Sequence, residues 1–137
     1  MIKEYPTKST SVHENLKDKS WFSGLLDDVN LSTTYYIGER APDVTFKLLE
    51  QEKSDSFVVR RIGFFIGEQM ICEAANKVTR NELVDVWIEK NQDKPFGEVF
   101  KNRNLHRVLI SKTENSRKFD VSGDIQAEIE EKFYPLV

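Results

Sequence analysis

Glu131 is the first residue in this chain that invites chemistry. In IQAEIEEKFYPLV, residues 125–137, a period of two puts Ile125, Ala127, Ile129, Glu131 and Phe133 on one face. Gln126, Glu128, Glu130, Lys132 and Tyr134 fall on the other. That is the pattern of a half-buried strand, with a carboxyl group on its apolar side. Cations occur in comparable places. In FVVRRIGFF, Arg60 alternates with Val58, Ile62 and Phe64, while Arg61 shares the opposite face with Phe57, Val59 and Phe65. Both faces are apolar, so a central strand is expected, with at least one arginine substantially buried. In LHRVLI, Arg107 shares a face with Leu105 and Leu109. A buried charge must find a partner or water, because leaving it alone costs several kcal/mol. One reading is a buried Arg–Glu pair that merely tolerates its setting. Several such charges on neighbouring strands favour another. Guanidinium groups in a mostly apolar cavity suit a small planar dianion, since each can grip a carboxylate bidentately.

Other chemistries find little support. His13 and His106 are far apart and fit no metal-ligand spacing. No Ser-His-acid grouping emerges from spacing. Gly63 and Gly67 sit in and beside a strand rather than ahead of a helix, which argues against a phosphate-cradling loop. The basic run KNRNLHR at 101–107 reads as a solvated turn, and Cys72, alternating with Met70 and Ala74, as a packed thiol. Trp87 and the phenylalanines read as core.

The elements that must position these charges follow from local pattern. Residues 1–19 are polar and mixed in charge, an arm with at most one helical turn. Ser20 is placed to cap a short helix in WFSGLLDDV. From residue 33, TTYYIGERAP reads as strand-like, with Gly38 and Pro42 as punctuation. DVTFKLLEQE and SFVVRRIGFFIG are strands, and Gly67-Glu68 suits a type II′ hairpin into QMICEAANKV. TRNELVDVWIEK is helical, with Thr79 or Asn81 as its cap. Pro95 opens a second short helix, PFGEVFKN. LHRVLISKTE and the closing segment are strands, with room for a further short one in NSRKFDVSGD. Tight turns make the sheet mainly antiparallel, so the expected class is α+β.

Composition agrees with one domain over residues 20–137. The 137 residues are 39% hydrophobic and 31% charged, with a net charge of −3, which argues against a nucleic-acid partner. One cysteine excludes an internal disulfide. No apolar run reaches the roughly 18 residues of a membrane span, and MIKEYPTKST lacks the apolar stretch of a signal peptide. A cytoplasmic protein without a membrane partner is expected.

Taken in order, VVRRIGFFIGEQMICEAANKVT, DKPFGEVF, NLHRVLIS and IEEKFYP resemble the chorismate pyruvate-lyase family and its broader superfamily, as does LLDDVNLSTT. The resemblance covers roughly residues 20–137 and lies in the order of its parts. It implies an antiparallel sheet with helices closing over an internal ligand cavity. It also implies removal of pyruvate from chorismate to leave 4-hydroxybenzoate, with no metal or cofactor. By the same resemblance, Arg60 grips the ring carboxylate, Glu131 addresses the 4-oxygen at the far end of the cavity, and Phe96 lines the site. Arg107 is assigned to the enolpyruvyl carboxylate. A carboxyl group in an apolar wall would have a raised pKa and could donate to the departing ether oxygen. The chain departs from the lyases in carrying Arg61 where they tend to have Glu, and in a shorter stretch between Arg107 and the last strand. Glu73 and Lys77 make the return strand more polar than expected.

Two other readings stay open. The superfamily fold resembles effector-sensing domains that bind small aromatic acids without chemistry. Those follow a winged-helix segment, which residues 1–19 are too short to hold. A catalytically idle homologue would keep Arg60 and Glu131 only as a buried pair.

Overall fold

The computed structural model describes residues 14–18, 20–90, 94–96, 100 and 103–137. Its strands are β1 (Thr45–Lys53), β2 (Phe57–Ile66), β3 (Gln69–Thr79), β4 (Leu105–Lys112), β5 (Ser116–Gly123) and β6 (Ala127–Phe133). They form one antiparallel sheet in the order β1-β2-β3-β6-β5-β4. Two three-stranded meanders therefore meet where β3 pairs with β6. Among the described residues the helices are α1 (Ser23–Asp27), α2 (Thr33–Arg40) and α3 (Glu82–Lys90). The fold is α+β, as the tight turns and strand patterns implied.

Local chemistry explains most boundaries. Gly67 opens the β2–β3 turn with φ of +60°, and among the described residues no non-glycine has positive φ. Positive φ at the first turn residue alone is the type II′ pattern. Asn81 caps α3, its Oδ1 accepting the Val84 N–H at 2.9 Å. Ser20 is not the cap of α1. Its N–H and hydroxyl both go to Asp18 Oδ1, and Phe22 stands at the helix start with no side-chain cap bond. The PFGEVFKN helix lies mostly outside the described residues. What is described there is one hydrogen bond, the Phe100 N–H donating to the Phe96 carbonyl at 3.1 Å.

TTYYIGERAP is a helix rather than a strand: α2 runs Thr33–Arg40 through Gly38. Strand preference in Thr, Tyr and Ile is a weak prior. Here, the spacing of four between Thr33 and Ile37 decides, because it buries both on one helical face against the sheet. The packed body also reaches back before residue 20. Leu16 is buried, and its carbonyl accepts the Leu136 N–H at 2.8 Å.

The helices cover one face of the sheet. On that face lie Val58, Arg60, Ile62 and Phe64 of β2, Cys72, Ala74, Asn76 and Val78 of β3, Ala127, Ile129, Glu131 and Phe133 of β6, and Arg117, Phe119 and Val121 of β5; all are buried. The other face is open. Phe57 and Val59 are partly exposed there, and Arg61 bridges Glu50 and Glu73 at 2.9 and 2.8 Å. β2 is thus interior in the sheet, as its two apolar faces suggested, but the described residues cover only one of those faces.

The apolar residues of the covered face separate into two clusters. One gathers Trp21, Phe22, Leu25 and Ile37 over Ile62, Phe64, Cys72 and Phe133. The other gathers Trp87, Ile88, Phe96 and Phe100 over Val58, Val78, Phe119, Val121 and Ile129. Between them the register sets Arg60 opposite Asn76 and Glu131 opposite Arg117. A polar seam crosses the sheet where the two apolar cores meet.

Candidate functional site

Arg117 is the centre of that seam and is only 1% exposed. Its Nε donates to Glu131 Oε1 at 2.7 Å. One terminal nitrogen donates to the Leu25 and Asp28 carbonyls, at 2.7 and 3.1 Å. The other donates to the Leu31 carbonyl at 2.9 Å and to Thr33 Oγ1 at 3.0 Å. All five donors of a guanidinium are thereby used. Arg117 fastens the segment from α1 to the start of α2 onto β5, and binds that segment to the strand carrying Glu131. Sequence reasoning missed this residue. The signal was there: Arg117, Phe119 and Val121 alternate with Lys118, Asp120 and Ser122, the same half-buried pattern that singled out Glu131.

Glu131, 5% exposed, is accordingly one half of a buried ion pair, though its partner is Arg117 and not Arg60. The wall around it was expected to be apolar, but Arg117 makes it polar. Its second oxygen has no hydrogen-bond partner among the described residues.

Glu131 lines a cavity of about 40 Å³ on the covered face. The sheet contributes Ile62, Ala74, Asn76, Arg107, Phe119 and Ile129 to its wall. Opposite the sheet stand Leu31–Thr34, at the start of α2, and Pro95 and Phe96. Three of the four expected site residues, Arg107, Phe96 and Glu131, are therefore brought to one cavity. Phe96 is buried there with its ring against Trp87 and Phe100. Arg107 is half-buried and makes no hydrogen bond or ion pair among the described residues. Burial pushes its pKa below the ordinary guanidinium value; the charge of Arg117 adds to this, and that of Glu131 opposes it. A guanidinium remains charged at neutral pH even so.

Arg60 is the residue not brought there. It is 1% exposed on the same face, but its guanidinium lies over the Trp87 ring, 4.7 Å from the centroid, and donates to the Lys94 carbonyl at 3.0 Å. It does not line the cavity. The buried-cation reading of the strand therefore describes its setting well, while the carboxylate grip would need Arg60 on the wall that Arg107, Phe96 and Glu131 share.

Two further polar groups of the cavity wall are short of partners. Asn76, 2% exposed, leaves its Oδ1 buried with no hydrogen bond, and Ser32 leaves its Oγ likewise. Ser32 stands at the N-cap of α2 without making a cap bond. The cavity thus combines an unpaired half-buried cation, a carboxylate with one free oxygen, an orphaned amide and aromatic walls. Such a mixture is chemically complementary to a small organic anion bearing a polar substituent. At about 40 Å³ it holds water-sized occupants, against roughly 300–1,000 Å³ for ordinary small-molecule clefts.

Among the described residues no group of three or more His, Cys, Asp or Glu is placed to hold a metal ion, and no helix is long and apolar enough to cross a membrane. No family model matches the chain, and no curated protein matches it in sequence.

Proposed function

We propose that this protein is a lyase acting on chorismate, or on a closely similar cyclic carboxylate, within the covered-face cavity. The observation that carries the reading is Arg107: a half-buried cation with no hydrogen bond or ion pair among the described residues, lining one cavity with Glu131. The order of motifs along the chain supports the same reading. In the reaction, the ring C–O bond to the enolpyruvyl group breaks. The hydrogen on the adjacent hydroxyl-bearing carbon is lost, and the enol takes up a proton as pyruvate. Formation of an aromatic ring supplies much of the driving force. The protein's task is then mainly orientation and help with proton movement. Arg107 would hold a carboxylate, Glu131 would assist proton movement at the hydroxyl-bearing end of the ring, and Phe96 with Phe119 would flank the ring. The carboxylate grip ascribed to Arg60 by resemblance falls to Arg107, because Arg60 is engaged with Trp87 and Lys94. Binding a whole substrate requires the Leu31–Thr34 and Pro95–Phe96 walls to draw back from the sheet.

A second reading, recognition of a small aromatic acid without chemistry, is favoured by one observation. Glu131 is committed to Arg117 within a five-bond clamp, a setting that suits an acceptor better than a proton donor. The two readings separate in one experiment. Chorismate is incubated with the protein while 4-hydroxybenzoate is followed by ultraviolet absorbance and pyruvate by a coupled assay. Release of both, abolished in Arg107→Ala and strongly reduced in Glu131→Gln, is the expected outcome. Unchanged turnover in Glu131→Gln would remove that residue from the mechanism. No product, together with a rise in melting temperature on adding 4-hydroxybenzoate, would select the second reading.

A further inference from the structure

Asn76 sits on β3 between Arg60 of β2 and Ile129 of β6, one step along the sheet from the Ala74–Glu131 pair. Its side chain is 2% exposed, lines the cavity, and leaves Oδ1 buried without a hydrogen bond. A buried amide oxygen left alone is costly, and a near-isosteric apolar residue would fit this wall beside Ile129 and Phe119. Such a group is satisfied when a ligand or a cavity water donates to it. Its neighbour in the same wall, Glu131, also has a free oxygen. Asn76 Oδ1, left without any donor among the described residues, calls for one on the ligand.

We infer that Asn76 is a specificity-determining residue, which selects ring acids carrying a hydroxyl over the same acids without one, through a hydrogen bond from that hydroxyl to its side-chain amide. The inference rests on the cavity proposed above as the binding site, but not on lyase chemistry there. Its physical basis is asymmetric. A site built to receive a hydroxyl discriminates strongly against an analogue lacking it, because the analogue leaves buried polar groups unpaired and expels the water that served them.

The test compares 4-hydroxybenzoate with benzoate by calorimetric titration of the full chain, in the wild type and in Asn76→Leu, with Asn76→Ala as a second variant. The wild type is expected to prefer 4-hydroxybenzoate by about tenfold or more. Asn76→Leu is expected to lose that preference while keeping its affinity for benzoate. Its melting temperature should equal or exceed that of the wild type, because an orphaned polar group has been removed. Equal affinities in the wild type would overturn the inference. So would a variant that loses both acids alike with a lowered melting temperature, which would mark Asn76 as a partner of buried water only. The lyase reading is judged separately by chorismate turnover. Turnover with the preference intact in Asn76→Leu defeats the inference alone, preference without turnover defeats the lyase reading alone, and no binding of either acid with no turnover defeats both.

Discussion

At the scale of single residues, the informative contrast lies between Arg117 and Arg107. Both are guanidinium groups facing the covered side of the sheet, yet among the described residues one spends every donor on the protein and the other spends none. Removing Arg117 leaves Glu131 buried and uncompensated, together with orphaned acceptors at Leu25, Asp28, Leu31 and Thr33. Arg117→Met is therefore expected to cost about 3–5 kcal/mol in urea unfolding. Arg107→Ala, by contrast, should leave the urea midpoint nearly unchanged, since no bond is lost, while ligand binding suffers. Alternation made Glu131 legible as a buried charge, and likewise Arg60 and Arg107. It could not say which cation would meet which anion. Partner choice depends on the strand order: β5 lies beside β6, so Glu131 meets Arg117, whereas Arg60 is two strands removed and turns to Trp87.

Elements whose signals were local were the easiest to read. The β2–β3 hairpin followed from Gly67, the cap of α3 from Asn81, and the edges of the long strands from their alternation. α2 was not, because its β-branched and aromatic residues favour extended chain in isolation, and only burial of Thr33 and Ile37 against the sheet favours the helix. β5 was half-seen, since NSRKFDVSG carries turn-forming residues at both ends and only two apolar residues, Phe119 and Val121, between them. The end of that strand offers a separate test. Gly123 has φ of +116°, and a side chain there would meet the carbonyl of Asn104, where the chain enters β4. Gly123→Ala should cost about 1–3 kcal/mol from backbone strain alone, with the collision adding to it. The measurement is a chemical melt, and a variant as stable as the wild type would mean that the β4–β5 hairpin can shift freely at its open end.

For the molecule as a whole, the meeting of two meanders sets the core. Cys72 lies in the β3 wall of that joint, wholly buried. Burial pushes its thiol pKa well up, the charge of Glu131 adds to this, Arg117 opposes it, and Glu73 raises it further. The sign follows directly. The unfolded thiol ionises near pH 8.5 while the folded one stays protonated, so this contribution to stability is intact below that pH and is lost as pH rises above it. Urea midpoints measured from pH 7 to 10 should fall more steeply in the wild type than in Cys72→Ala, and the native thiol should resist labelling until the protein unfolds. The sequence could not reveal this joint, because β3 and β6 lie some fifty residues apart and nothing local records that they pair.

That same pairing has a consequence for the order in which the protein can be made. β1, β2 and β3 leave the ribosome able to form their meander at once, but the free edge of β3 has no neighbour until β6 is synthesised. At about 5–20 residues per second, several seconds pass with a long apolar strand edge unprotected. Over the same interval, α1 and α2 lack their anchor, since the arginine that holds them belongs to the second meander. Final locking is thus withheld until nearly all of the described chain exists. A nascent chain stalled before β6 should remain protease-sensitive throughout its first half and prone to associate through β3.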